Sequence, residues 1–236
     1  MKKILKPLFR YFFKLLIFLV IITTGWTLIY RYLNPPFTPL MVLRYFQSDN
    51  KNKFVSKRWR DYDSISENMK LAIIAAEDQK FFEHKGFDLE SIKTAAVNNM
   101  KGKRIKGAST ISQQVAKNVF LWPSRTWLRK GLEIYFTLLV ETFWSKNRIL
   151  EVYLNIVEFG NGIYGVETAS QFFFRKTSQN LTREEAALLT AVLPSPRRMS
   201  PFSNSLYLYK RKQWILQQMD NLGNIRYLVN GKVQWD

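Results

Sequence analysis

Two adjacent carboxylates, Glu77 and Asp78, follow an apolar run and stand just before Phe81 and Phe82. Apolar neighbours and the negative end of a helix both make a carboxyl group hold a proton more readily. That property suits general acid or general base chemistry. A solvated pair at a frayed helix end gives the same pattern, and the spacing alone favours that interpretation.

A second polar group lies in residues 107–118 (GASTISQQVAKN). Hydroxyls at a helix start, with a lysine two turns later, can bind phosphate. Two glutamines stand three and four residues before the lysine, so they can share its helix face. No Gly-Lys-Ser/Thr ends the segment, which excludes a Walker loop. A capped, polar surface helix explains the segment equally well. The candidates are Ser109, Thr110, Gln113, Gln114 and Lys117.

A third group combines cations with one acid: Arg125, Arg129, Lys130 and Glu133. Glu133 lies four residues after Arg129 and three after Lys130, so surface ion pairs are the ordinary explanation. The alternative is a carboxylate held in a cationic pocket, suited to a diphosphate or a metal. Each of the three groups is weak evidence by itself.

Helix signals place these groups on a mainly α-helical scaffold. Residues 64–67 (SISE) resemble a capping box before the apolar run that leads to Glu77, and Asp88 can cap the next helix. Residues 101–107 predict a basic, mobile loop, after which Ser109 or Thr110 can cap a third helix. Leu128, Leu132, Phe136, Leu139 and Phe143 predict one apolar face of a fourth helix.

Later segments continue the helical pattern. Ile149, Leu150, Tyr153 and Leu154 predict a fifth helix, and glycines at 160, 162 and 165 predict a break. A second capping box, residues 182–185 (TREE), starts a helix that ends before Pro194. Only the tail around residues 230–231 (NG) predicts a hairpin.

Composition limits the classes of function. The 236 residues carry 36 Lys and Arg against 18 Asp and Glu, a net charge of +18. This excess favours nucleic acid, an acidic membrane surface or a phosphorylated substrate as partner. Cysteine is absent, which excludes a disulfide scaffold and a cysteine nucleophile. The single histidine, His84, excludes multi-histidine metal sites.

The N-terminus predicts a membrane anchor. Five cations precede residues 15–30, which carry no charge and span about 24 Å as a helix. A cleaved signal peptide is the alternative, but the run is long and no small-residue cleavage site follows. The cations keep the N-terminus cytoplasmic. We therefore predict an anchor at residues 1–33, a proline-rich then basic and irregular linker at 34–61, and a folded domain at 62–236.

Five segments in order resemble the motifs of the family 51 peptidoglycan glycosyltransferases. They are residues 76–88 (AEDQKFFEHKGFD), 107–118, 129–133 (RKGLE), 146–155 (KNRILEVYLN) and 183–196 (REEAALLTAVLPSP). The match covers roughly residues 62–200. The chain's length and single anchor resemble the monofunctional members of that family.

The resemblance implies a lysozyme-like α-helical domain that polymerises lipid II into glycan strands at the bacterial inner membrane, facing the periplasm. Glu77 would be the general base, and Lys117 and Arg125 would neutralise the diphosphate. Glu133 would be a second essential carboxylate that assists the leaving group, orders the cations or binds a metal. Cleft and phosphate-side positions would be Asp78, Ser109, Thr110, Gln113, Gln114, Arg129 and Lys130.

The same resemblance implies further partners and some local differences. Lipid II, the growing strand, the membrane and other cell-wall synthesis and division proteins are the expected partners, with no nucleic acid. Mg²⁺ or Mn²⁺ at the diphosphate fits the chemistry, but no ligand set in the sequence requires it. Arg175 stands where relatives commonly carry glycine, and His84 is expected to have a structural hydrogen-bonding role.

Two other classes remain as alternatives. A membrane-anchored lytic enzyme would cleave glycan with a lysozyme-like carboxylate pair and would need a water position instead of the cluster Lys117, Arg125 and Arg129. A membrane-tethered basic module would bind nucleic acid or acidic lipid, depend strongly on salt and be indifferent to Glu77.

Overall fold

The structure is a computed structural model that describes residues 2–47, 56–100, 109–124, 126–223, 225–227 and 233–235. The predicted basic loop at 101–107 and the candidate Arg125 lie outside the described residues. Ten α-helices occur in the described part of the chain, so the predicted mainly α fold is confirmed. They are α1 Lys2–Tyr32, α2 Pro39–Gln47, α3 Glu67–Glu77, α4 Leu89–Met100, α5 Ile111–Phe120, α6 Trp127–Phe143, α7 Lys146–Ile156, α8 Val166–Phe174, α9 Arg183–Val192 and α10 Leu206–Leu222.

Helices α3, α5, α7 and α9 form the centre of the domain. Their buried faces are apolar and pack against one another, and α6 and α10 cover α5 and α9 from outside. Asp88, Thr110 and Thr182 each accept a hydrogen bond from the backbone N–H three residues on, and these predicted helix starts are confirmed. Leu128, predicted on the buried face of α6, is instead 69% exposed.

Two predictions about the segment before α3 are wrong. Ser66, not Ser64, caps α3, because Ser64 ends a short 3-10 helix at Tyr62–Ser64. Residues 40–47, predicted to be irregular, belong to α2. This helix has Thr38 as its cap and Pro39 as its first residue, where proline's missing N–H is harmless. Met41 of α2 lies in the core, so packed structure begins before Tyr62.

A small sheet, which periodicity does not predict, ties the linker to the domain. Strand β1 Ser56–Lys57 pairs parallel with β3 Ile163–Tyr164, and β2 Glu158–Gly160 pairs antiparallel with β3. Such short strands show no alternation that a sequence pattern could detect. The predicted tail hairpin is confirmed in its strands, an antiparallel pair of β4 Ile225–Tyr227 and β5 Val233–Trp235, while its predicted turn at residues 230–231 lies outside the described residues.

Helix α1 contains a segment, Phe9–Tyr32, that is long and apolar enough to cross a membrane. The C-terminal end of α1 is fixed to the domain by hydrogen bonds. The hydroxyls of Thr23 and Tyr135 lie 2.8 Å apart, and Trp144 Nε1 donates to the Thr27 carbonyl at 2.8 Å. The guanidinium of Arg148 on α7 donates to the carbonyls of Tyr30 and Leu33, so a cation caps the negative end of the helix.

Candidate active site

Glu77 is the last residue of α3, where the sequence placed a helix end. Its Oε2 accepts a hydrogen bond of 2.9 Å from Nε2 of Gln114 on α5. The Tyr153 hydroxyl of α7 in turn donates to Gln114 Oε1 at 3.4 Å. Burial raises the pKa of Tyr153 well above its usual value, and nearby Glu77 and Asp78 raise it further, so the hydroxyl keeps its proton and orients the amide. Glu77 is therefore held in place by neutral groups.

A cavity of about 750 Å³ opens in front of Glu77. Its wall comes from α3, α5, α7, α10 and the end of α9, so five helices meet around the carboxylate. The lining residues are Ala76, Glu77, Ser109, Gln114, Tyr153, Val157, Leu193, Pro194, Tyr207, Arg211 and Trp214. A concave site on which several polar side chains converge is typical of a substrate cleft.

Glu133 is a buried carboxylate with cationic partners. Arg129 donates to Oε2 and Lys130 to Oε1, both at 2.5 Å. Burial raises the pKa of Glu133, but the hydrogen bonds from Lys130 and Arg129 outweigh it and leave the pKa below its usual value. The predicted i, i+3 and i, i+4 pairs thus exist, and they hold a buried charge rather than an exposed one.

Lys117 lies on α5, one turn beyond Gln114. It is half-buried and forms no ion pair with the described residues. Desolvation lowers the pKa of Lys117, although the charges of Glu133 and Glu77 act in the opposite direction. Since both carboxylates act on this amine, Lys117 links the Glu77 side of the site to the Glu133 side. An unpaired, partly desolvated cation at this position is prepared for an anionic ligand.

Three further predicted residues have their side chains engaged within the protein. Asp78 is buried, with one oxygen 2.9 Å from His84 Nε2 and the other accepting from the Ile111 N–H at 3.0 Å. Thr110 and Gln113 form the capping box of α5. These contacts fix the start of α5 against the end of α3 and so position Gln114 against Glu77. Direct contact of these three side chains with substrate stays a prediction.

Comparison with known proteins gives consistent results along the chain. The family described as Transglycosylase matches residues 45–220. A biosynthetic peptidoglycan transglycosylase of Pseudomonas fluorescens is 47% identical over 226 residues, 95% of this chain and 94% of the relative. Relatives with the same description in Pseudomonas syringae pv. tomato and Xanthomonas oryzae pv. oryzae are 49% and 48% identical, over 88% and 84% of this chain and 90% and 82% of theirs.

The chain belongs to the transglycosylase family. The resemblance drawn from the five motifs is thereby confirmed. In this transglycosylase, helices α3, α5 and α7 bring Glu77, Gln114 and Tyr153 together, and α5 and α6 bring together Lys117, Arg129, Lys130 and Glu133. Ser109 joins the Glu77 cavity.

Sequence reasoning missed the contribution of α10 to this cavity. Tyr207, Arg211 and Trp214 follow the last motif at spacings of four and three residues, which was the available signal of a common helix face. Arg211 lies over the Trp214 ring, 4.3 Å from its centre, and donates to the carbonyl of Ala76, next to Glu77. Arg211 and Trp214 thus form a cation–π pair in the cavity wall, next to Glu77.

The transglycosylase site offers limited protein ligands for a divalent ion. In the described part of the chain, no group of three or more His, Asp or Glu side chains could hold a metal. Both oxygens of Glu133 are already hydrogen-bonded to cations. Mg²⁺ or Mn²⁺ in this site would therefore depend on oxygen ligands of a bound diphosphate.

Proposed function

We propose that this chain polymerises lipid II into glycan strands. The 4-hydroxyl oxygen of an incoming GlcNAc attacks the anomeric carbon of the lipid-linked strand. The bond to undecaprenyl diphosphate breaks, and the configuration inverts. The single observation that carries the proposal is the position of Lys117 near two carboxylates with different partners. Glu77 is hydrogen-bonded to a neutral amide, and Glu133 is paired with two cations.

Glu77 acts as the general base. Its Oε2 receives one hydrogen bond from a neutral amide, and no cation is bonded to it in the described residues, so the carboxylate can take the proton of the attacking hydroxyl. The logic is that of an inverting glycosidase, with a sugar hydroxyl in place of water. Gln114 and Tyr153 position the base.

Lys117 and the cations of α6 stabilise the leaving diphosphate. The negative charge on that group grows as the glycosidic bond breaks, and donors already in place stabilise it with little reorganisation. Arg129 and Lys130 are fixed by Glu133, which we assign to ordering these cations. Arg125 and Ser109 are proposed as further substrate contacts. No step is assigned to a divalent ion.

The chain works at the membrane as a single-pass protein with a cytoplasmic N-terminus and a periplasmic domain in the inner membrane. A cleaved anchor fits the contacts poorly, because Trp144 and Arg148 would lose acceptors supplied by α1. Exposed apolar residues on α6, beside α1, fit partial insertion into the bilayer: Trp127, Leu128, Ile134 and Leu138. Other cell-wall synthesis and division proteins are proposed as partners.

Product analysis tests the proposal. Purified full-length protein in detergent is incubated with lipid II, and in parallel with preformed glycan strands. We expect long strands and released undecaprenyl diphosphate from lipid II, and no shortening of preformed glycan. Shortened glycan without polymer would instead support the lytic alternative, which the unpaired Lys117 disfavours because hydrolysis needs no diphosphate site.

A further inference from the structure

A second cavity, of about 670 Å³, lies beside α8 and shares no lining residue with the Glu77 cavity. It is open to solvent and combines three cations with polar and aromatic side chains. The lining residues are Arg58, Ile163, Thr168, Gln171, Phe172, Arg175, Lys176, Thr177 and Asn180. The polymerisation chemistry uses none of them.

Arg175 enters this cavity from a strained backbone position. It ends α8 with φ +59° and ψ +30°, in the left-handed region, and it is the one non-glycine residue with positive φ among those described. Glycine adopts this conformation without strain, whereas an arginine side chain makes it less favourable. Strained positions that persist often serve a site, and here the strained residue contributes a positive charge to a cavity wall.

Two of the three cations lack a balancing carboxylate. Lys176 pairs with Glu185 at 2.8 Å. Among the described residues, the Arg58 guanidinium donates to the neutral amide of Gln171 and to no carboxylate, and Arg175 forms no ion pair. Two arginines at one concave surface repel each other unless an anion lies between them. Arginine's planar set of donors suits phosphate oxygens.

One wall of the cavity is connected to the segment that follows α1, the helix long and apolar enough to cross a membrane. Lys57, next to Arg58, donates to the carbonyls of Pro35 and Pro36, three and four residues beyond the end of α1. The four residues that follow α1 can span at most about 14 Å. The lipid headgroup layer is about 5–8 Å deep, so Pro35 and Pro36 lie in this layer or within a few ångströms of it. Phe172, 58% exposed at the cavity, offers an apolar surface beside the two cations.

We propose that the cavity between Arg58 and Arg175 binds the phosphate of an anionic phospholipid headgroup, with Phe172 against the lipid's apolar part. Bound lipid would hold α8 and β1 at the membrane surface, independently of any reaction at Glu77. The site would prefer phosphatidylglycerol to phosphatidylcholine, because the choline group of the latter brings its own positive charge towards the arginines.

Lipid retention by the full chain tests the site. Protein is reconstituted in nanodiscs with equal phosphatidylglycerol and phosphatidylcholine, released into detergent, and the retained lipids are counted by native mass spectrometry. We expect retained phosphatidylglycerol in the wild type, about fivefold weaker retention in Arg175→Gly, and about 25-fold weaker retention with Arg58→Gln added. Arg198→Gln, which removes an exposed arginine outside the cavity, should retain lipid as the wild type does.

Arg175→Gly also separates binding from folding. Because glycine relieves the left-handed strain, this variant should unfold at the wild-type temperature or slightly above it while it loses lipid. Equal retention by the wild type and the double variant would overturn the proposal, as would equal retention of both lipids. Displacement of the lipid by millimolar inorganic phosphate would also overturn it, since the site would then bind free phosphate. None of these measurements uses lipid II, so their results do not depend on the polymerisation activity.

Discussion

Glu77 and Glu133 are two carboxylates near the same amine, Lys117, with opposite surroundings. Glu77 ends a helix, is half-buried and receives a hydrogen bond from the neutral Gln114. Glu133 lies in the middle of a helix, is 3% exposed, and has a cation on each oxygen. One carboxylate is therefore available to accept a proton, while the other is held as an anion and holds two cations in return.

This difference supports the two proposed roles. A base must give up its hydrogen-bond partner or share it with the incoming hydroxyl, and a neutral amide allows this at little cost. A carboxylate between a guanidinium and an ammonium gains its stabilisation by staying charged. The proposed difference is wrong if Glu77→Gln and Glu133→Gln change the polymerisation rate and the unfolding temperature in the same way.

Replacement of Lys117, between the two carboxylates, should have the largest effect among the supporting residues. Lys117→Met should lower polymerisation about 100- to 1000-fold, as for loss of a preorganised charge that stabilises the leaving group. The unfolding temperature should stay the same, because Lys117 has cationic neighbours and no ion pair in the described structure. Lys93→Met, on the exposed face of α4, is the matched control. A variant that binds lipid II weakly but reacts at the wild-type rate would contradict the assignment.

Neutralisation of Glu133 should reduce both rate and stability. Glu133→Gln leaves Arg129 and Lys130 without their common partner, so we expect about 100-fold slower polymerisation and an unfolding temperature about 5–10 °C lower. Thermal unfolding followed by circular dichroism measures the second effect. An unchanged unfolding temperature would mean that the buried ion pairs do not order the cations.

The stability difference should depend on pH in a defined direction. The pKa of Glu133 is lower in the folded protein than its usual 4.5. Its contribution to the free energy of unfolding is therefore fully present above pH 4.5 and is lost as the pH falls through the lowered folded-state value. The gap between wild type and Glu133→Gln should be constant near neutral pH and close in acid. A gap that widens in acid would contradict the ion-pair account.

Gln114→Leu should slow polymerisation about tenfold, because Glu77 loses the hydrogen bond that orients it. The change should lower kcat and leave KM for lipid II nearly unchanged. A misfolded cleft would instead lower kcat and raise KM. Rescue by Gln114→Asn is not expected, because the shorter amide cannot reach both Glu77 and Tyr153. Initial rates over a range of lipid II concentrations measure the split.

Tyr153→Phe should have the smallest effect, about two- to threefold on kcat, because it removes only a long hydrogen bond behind Gln114. The phenylalanine ring fills the same buried volume, so stability should change little. In the Gln114→Leu background the tyrosine change should have no further effect, since the path to Glu77 is already broken. An additive loss in the double variant would show that Tyr153 acts by another route.

Local rules predicted much of the scaffold. Caps at Asp88, Thr110 and Thr182 depend on side-chain bonds to residues three positions on, so they are readable from sequence. The capping box predicted at Ser64 is wrong because Ser66, two residues later, has the same hydroxyl group and caps the helix instead. The contribution of β1 could not be read, because its pairing depends on contacts between distant segments. Helices α2 and α10 carry local signals, but their packing against the core and at the cavity depends on such contacts as well.

The candidate site likewise has features that follow from local sequence and features that depend on contacts between distant segments. The ion pairs of Glu133 follow from helical spacing alone, whereas their burial does not. The link from Glu77 to Gln114 and Tyr153 joins three helices. The family resemblance gave Glu77 and Gln114 without their contact, and the sequence predicted Tyr153 only as part of an apolar helix face. The sequence showed Arg175 as a departure from a usual glycine. It did not predict the cavity, which depends on the packing of α8 beside β1.

The most direct measurement compares Glu77→Gln with the wild type and with Glu184→Gln, an exposed carboxylate variant outside the cleft. Lipid II binding and polymerisation are both measured, together with thermal unfolding. We predict that Glu77→Gln binds lipid II and unfolds at the wild-type temperature but polymerises about 1000-fold more slowly, as expected for loss of a general base. If Glu77→Gln keeps most of its polymerisation rate, Glu77 is not the base and the division of roles between the two carboxylates is wrong.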